Sequence, residues 1–119
     1  MDVSYSQENS SEPSPEEKFL LPLADAVKAN LDNPDFGVKA LCEVASLSNM
    51  QVNRKLKALT DKTPSRFIRS VRLQEAIRLL QVEKLNVSEA AYAVGFSDPN
   101  YFSRSFSEEF GYPPSELRV

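Results

Sequence analysis

At 119 residues the chain has room for one compact domain rather than two. One cysteine, Cys42, and no histidine exclude an intrachain disulfide, the common zinc clusters and a Cys-His or Ser-His-Asp catalytic group. A net charge of -3 excludes coating of nucleic acid by bulk positive charge, and no apolar run reaches the length of a membrane span or resembles a signal peptide; a cytoplasmic, non-enzymatic protein without cofactor or membrane contact is expected.

Residues 1–16 are rich in Ser, Glu and Pro, and Asp2, Glu8, Glu12 and Glu16 meet no Lys or Arg there. Such a composition buries too little apolar surface to offset the entropy of ordering. The segment reads as a disordered acidic linker before a domain over 17–119, which suits the C-terminal piece of a longer protein or a short independent one. From Phe19 the residues Phe19, Leu23, Val27 and Leu31 recur at four-residue intervals until Asp32-Asn33-Pro34, predicting a first helix. Gly37 opens a short second helix marked by Val38, Leu41, Cys42 and Ala45, followed by a turn through Ser46 and Leu47. Ser48 and Gln51 have capping-box spacing and predict a third helix from about Asn49 to Asp61, with Val52, Leu56 and Leu59 as its buried stripe.

Thr63 followed by Pro64 is an N-cap with proline at the first helical position, and no Gly or Pro interrupts the next eighteen residues. A long helix over 64–82 follows, with Leu73, Ala76 and Leu80 on one face and Ile77 beside them. Asn86 and Glu89 open a fifth helix through Ala90, Ala91 and Val94 that stops at Gly95. Asp98 and Pro99 open a sixth, in which Phe102, Phe106 and Phe110 repeat as a packing stripe up to Gly111, and Pro113-Pro114 start a terminal turn around Ser115 to Arg118. The class is all-α, with about seven helices.

The two halves repeat. An offset of 49 residues pairs Gly37 with Asn86, Cys42 with Ala91, Ser46 with Gly95 and Leu47 with Phe96; an offset of 50 then pairs Ser48 with Asp98, Val52 with Phe102, Arg54 with Arg104 and Leu56 with Phe106. Caps fall on caps, stripe on stripe and Arg on Arg. Each half is a short helix, a tight turn and a longer helix, a helix-turn-helix unit that can place its second helix in a DNA major groove. The units span 37–61 and 86–111, and the helix between them has a length of ~28 Å at 1.5 Å per residue.

Between Ser48 and Arg72 stand Arg54, Lys55, Lys57, Lys62, Arg66, Arg69 and Arg72 against Asp61 alone, while from Val87 onward acidic residues prevail. On the third helix, Asn49, Met50, Asn53, Arg54 and Lys57 lie away from the apolar stripe; on the sixth, Asn100, Tyr101, Ser103 and Arg104 are the corresponding candidates. Arg and Asn side chains can distinguish guanine from adenine, and Met and Tyr can pack on thymine methyl groups. Lys55, Lys62, Arg66 and Arg69 are candidates for phosphate contact. Double-stranded DNA is the expected partner; the alternative is an all-helical protein-interaction or oligomerisation module in which the exposed Met, Tyr and Arg are interface anchors. Cys42 reads as a small buried hydrophobe.

Gly95-Phe96, Tyr101-Phe102-Ser103-Arg104-Ser105-Phe106 and Gly111-Tyr112-Pro113-Pro114, together with Arg72-Leu73, Ala76 and Leu79-Leu80, resemble the AraC/XylS family of transcriptional regulators over about Phe19 to Arg118. The resemblance implies a homeodomain-like fold of two helix-turn-helix subdomains joined by the long helix. It also implies base-reading positions at Met50, Asn53, Arg54, Asn100, Tyr101 and Arg104. The stretches Arg54-Lys55-Leu56-Lys57-Ala58-Leu59-Thr60 and Phe67-Ile68-Arg69 are similar to output domains of hybrid two-component regulators, which implies upstream sensor and receiver domains in a longer chain. RNA polymerase stands as a further candidate partner. Cys42 departs from the family's usual alanine, Ser46 from its turn glycine, and Ser107 and Glu108 from positions that are often lysine.

Overall fold

A computed structural model describes residues 12–117. Among these residues the chain forms six α-helices and a closing 3-10 turn: α1 (Pro15–Ala29), α2 (Val38–Ala45), α3 (Asn49–Thr60), α4 (Pro64–Gln81), α5 (Val87–Ala93), α6 (Pro99–Phe110) and the turn Pro114–Leu117. Most of the linker expected over residues 1–16, and Arg118 of the terminal turn, lie outside the described residues.

The caps explain the helix boundaries. Ser48 accepts from the Gln51 amide while the Gln51 side chain accepts from the Ser48 amide. Asn86 and Glu89 repeat this exchange at α5, and Thr63 caps α4 with Pro64 in its first turn. Helix α1 differs from expectation at both ends. It starts at Pro15, inside the expected linker, because Ser14 and Glu17 form a third capping box and Glu16 and Glu17 complement the positive end of the helix dipole. It ends at Ala29 rather than at Leu31, because the Asn30 amide donates to Val27 O and its side chain to Ala26 O, turning the chain out of the helix.

Two cores form, and α4 serves both. Leu23, Val27, Phe36, Leu41, Val52 and Leu56 pack with Phe67, Ile68 and Val71 of α4. Leu73, Ala76 and Leu80 of α4 pack with Ala90, Ala91, Val94, Phe96, Phe102 and Phe106. The single face expected for this helix, Leu73, Ala76 and Leu80, is therefore half of its buried surface; its N-terminal turns bury a second face in the other unit. Leu31 packs against both cores. Leu59, expected in the α3 stripe, is 39% exposed, because it lies on the last turn of α3, beyond the core that Val52 and Leu56 enter. Cys42 is half-buried.

The repeat extends to individual hydrogen bonds. The Leu47 amide donates to Cys42 O and the Phe96 amide to Ala91 O, while the Ser46 and Gly95 amides donate to Glu43 O and Tyr92 O. Each second helix closes in the same way, from Asp61 to Lys57 O and from Gly111 to Ser107 O. Both turns need a left-handed residue. Gly95 supplies it at φ +97°, and Ser46 adopts it at φ 57° against the steric resistance of its Cβ.

The two turns should therefore answer to mutation with opposite signs. Ser46→Gly relieves the left-handed strain and is expected to raise unfolding free energy by about 0.5–1 kcal/mol after allowing for the extra freedom of glycine in the unfolded chain. Gly95→Ala would place a Cβ 1.6 Å from Arg72 Nη1 and 2.4 Å from Leu31 O and is expected to destabilise. Urea denaturation of both variants checks this; a stabilised Gly95→Ala, or a destabilised Ser46→Gly, contradicts it.

Candidate nucleic-acid interface

The spacing of Met50, Asn53, Arg54 and Lys57 places them on one side of α3. Together with Lys62 and Thr63 they line an open concavity of about 430 Å³. Met50 is 68% exposed, so an apolar side chain stands in solvent at the centre of a basic surface. Arg54 is exposed and forms no ion pair among the described residues. Two neighbours are already engaged: the Asn53 amide donates to both the backbone and the side-chain oxygen of Asn49, and Lys57 Nζ lies 3.2 Å from Asp61 Oδ1 with both groups in solvent. That exposed pair contributes little to stability and leaves Lys57 available to another anion.

The phosphate-contact candidates do not act as one set. Lys62 joins the α3 concavity, whereas Lys55 turns toward α1 and places its ammonium 5.4 Å from the centre of the Phe19 ring. Arg66 and Arg69 face the second unit, lining a polar concavity of about 260 Å³ with Ser105, Glu108 and Glu109. Two carboxylates thus share the surface of two guanidinium groups, an arrangement that the order of residues in the chain conceals.

In the second unit, α6 is capped by Asp98, whose carboxylate accepts from the Asn100 amide at 2.9 Å. Asn100 is exposed and Ser103 half-buried. Tyr101 is 42% exposed; its ring packs against Phe96 at 5.7 Å, its hydroxyl accepts from Arg69 Nη1 at 3.1 Å, and the Arg104 guanidinium lies 5.9 Å from its ring centre. Tyr101 therefore packs its ring on Phe96, meets Arg69 at its hydroxyl and carries Arg104 over its ring. Asn100, Tyr101 and Arg104 present donors and an apolar ring, the groups that base edges accept.

Arg72 differs from the rest of the basic block. It is buried, and its Nη1 donates at 2.8 Å to both Leu31 O and Val94 O. Burial lowers its pKa from the ordinary guanidinium value. It stands on α4 between Val71 and Leu73, which enter different cores. Ser70 is buried beside it and donates from Oγ to Glu109 Oε2 at 2.8 Å, fastening α6 to α4. Neither Ser70 nor Glu109 stood out in the sequence.

Among the described residues no helix is long and apolar enough to cross a membrane. Residues 41–119 match the family model described as "Helix-turn-helix domain". Over 103 residues the chain is 37% identical to "Histidine kinase P4" of Formosa agariphila, covering 87% of this chain and 8% of that protein. Over 79 residues it is 40% identical to the "HTH-type transcriptional activator RhaS" of Escherichia coli, covering 66% of this chain and 28% of that protein. The chain thus spans under a third of the length of either relative. Among solved structures it resembles a transcriptional regulator of Chromobacterium violaceum, described as an AraC-type DNA-binding domain-containing protein, with a TM-score of 0.76 and 25% identity over 86% of this chain and 90% of that one. With its duplicated units, its connecting helix and its matched sequence, the chain belongs to the AraC/XylS-type helix-turn-helix family of DNA-binding transcription regulators.

Proposed function

We propose that this chain reads a two-part site in double-stranded DNA, with α3 and α6 in successive major-groove segments on one side of the duplex. One observation carries the reading: two units with the same helix order and the same turn hydrogen bonds, each with an exposed face on its second helix, are joined by a single connecting helix. The 18 residues of α4 span about 27 Å at the helical rise, which approaches the ~34 Å repeat of B-DNA once the flanking turns are added. Asn49, Met50, Asn53, Arg54 and Lys57 read bases in the first half-site; Asn100, Tyr101, Ser103 and Arg104 read the second. Lys62, Arg66, Arg69 and, after leaving Phe19, Lys55 meet phosphates. The role is non-catalytic.

The likeness to a histidine kinase of which the matched region is 8% supports a second element of the proposal: the chain is the output domain of a longer two-component protein whose sensor and receiver parts lie upstream. Pairing two such output domains raises the affinity of each by effective concentration. RNA polymerase is the partner through which a bound activator acts.

The test is binding to a site selected from random duplexes. Arg54→Ala is expected to cost about 1–3 kcal/mol and to relax preference at one base pair, read by mobility shift against a panel of point-changed duplexes. Undiminished binding by Arg54→Ala rejects the base-reading role of this residue.

The charge contrast between the units gives a second expectation. Glu108 lies beside Arg66 and Arg69, where it repels phosphate. Glu108→Lys, combined with Ser107→Lys, is expected to tighten binding to all sequences and to steepen its salt dependence by roughly one unit of slope per added phosphate contact, with sequence preference almost unchanged. Salt titrations on specific and random duplexes decide it; an unchanged slope removes α6 from the backbone.

A further inference from the structure

Apolar packing holds surfaces together without fixing direction. A unit joined to its neighbour by one helix and the apolar packing of Leu31 can rock about that helix axis. The Arg69 to Tyr101 and Ser70 to Glu109 bonds restrain α6 against α4, but both of their ends lie on α4 and the second unit. Arg72 reaches further. One of its nitrogens donates to Leu31 O, in the loop after α1, and to Val94 O, at the end of α5. Leu31 itself packs on both cores. Gly95 completes the geometry, since any side chain there would occupy the space of Arg72 Nη1 and Leu31 O. Charge-assisted bonds to carbonyls in a buried seam are short and directional, and losing the donor leaves both oxygens without it.

We propose that Arg72 is a positioning residue that sets the separation and rotational phase of the two recognition helices, and thereby the half-site spacing that the chain accepts, by clamping Leu31 O, in the loop that leads from α1 into the first unit, to Val94 O of the second. The inference rests on the two-site reading above. Each base pair inserted between half-sites shifts the second by about 3.4 Å and about 35°. A clamped pair of units rejects such a change, and a loosened pair tolerates it at the expense of affinity for the best spacing.

The experiment has a DNA arm and a DNA-free arm, both on the full chain. In the first, wild type, Arg72→Met and Arg72→Lys bind duplexes carrying the selected site and versions with one or two base pairs added or removed between half-sites, and also each half-site alone. In the second, spin labels at Ala58→Cys and Ser88→Cys, two exposed positions, in a Cys42→Ala background report the distribution of distances between the units. Arg72→Met is expected to keep half-site binding within about twofold, to lose about tenfold for the selected spacing, to flatten the spacing preference and to broaden the distance distribution. Arg72→Lys, with donors on a shorter chain, is expected to fall between the two.

A wild-type distance distribution together with a wild-type spacing preference in Arg72→Met overturns the proposal. If wild type itself shows no spacing preference, the two-site reading fails, and the label distances alone decide whether Arg72 holds the units. If Arg72→Met does not fold, Arg72→Lys, which keeps a charged donor on a shorter reach, takes its place. Unfolding of both variants overturns the positioning role, because the guanidinium then serves folding and nothing finer.

Discussion

The architecture turns on a seam one residue wide. Helix α4 gives its N-terminal half to one core and its C-terminal half to the other, and the change of side falls between Val71 and Leu73. The residue at that change belongs fully to neither core, and it is an arginine. A small apolar residue there would leave Leu31 O and Val94 O without this donor; the guanidinium supplies a planar, permanently charged group that can serve two acceptors from one nitrogen. The burial of that charge is tolerated because its stem packs between the cores and its head meets carbonyl dipoles. Gly95 follows from the same constraint, and the contrast between Gly95 and Ser46 shows it. Both are left-handed turn residues at equivalent points of the repeat, but the space beyond Gly95 is taken by the arginine.

Much of the fold was legible because helix ends are written locally. Ser48 with Gln51, Asn86 with Glu89, Thr63 with Pro64 and Asp98 with Pro99 each spell a cap, and each cap forms. Ser14-Pro15-Glu16-Glu17 spells one equally well, yet its Ser, Pro and Glu content resembles disorder, and the first apolar residue of its helix comes only at Phe19. The double burial of α4 was not legible as a stripe. Periodicity finds one face at a time, and a helix that buries different faces at its two ends blurs into a uniform pattern.

The candidate site was legible in position and not in engagement. Helical spacing alone identifies which residues of α3 and α6 face away from the cores. It also contains the Asn49–Asn53 and Lys57–Asp61 pairs, which stand four apart. It does not contain the turn of Lys55 onto Phe19, the bond from Arg69 to Tyr101, or the mixing of Arg66 and Arg69 with Glu108 and Glu109, because those depend on how separate helices meet. Arg72 is the clearest case: counted by sequence it belongs to a basic block, and counted by face it belongs to the interior.

The sharing of α4 also separates two kinds of modularity. The helix-turn-helix motif is duplicated in caps, turns and hydrogen bonds, yet neither copy owns a closed hydrophobic core. A chain divided within α4 would yield two pieces, each with an open apolar cleft where half a helix had been, rather than two smaller domains. The recognition module occurs twice; the cooperative folding unit occurs once.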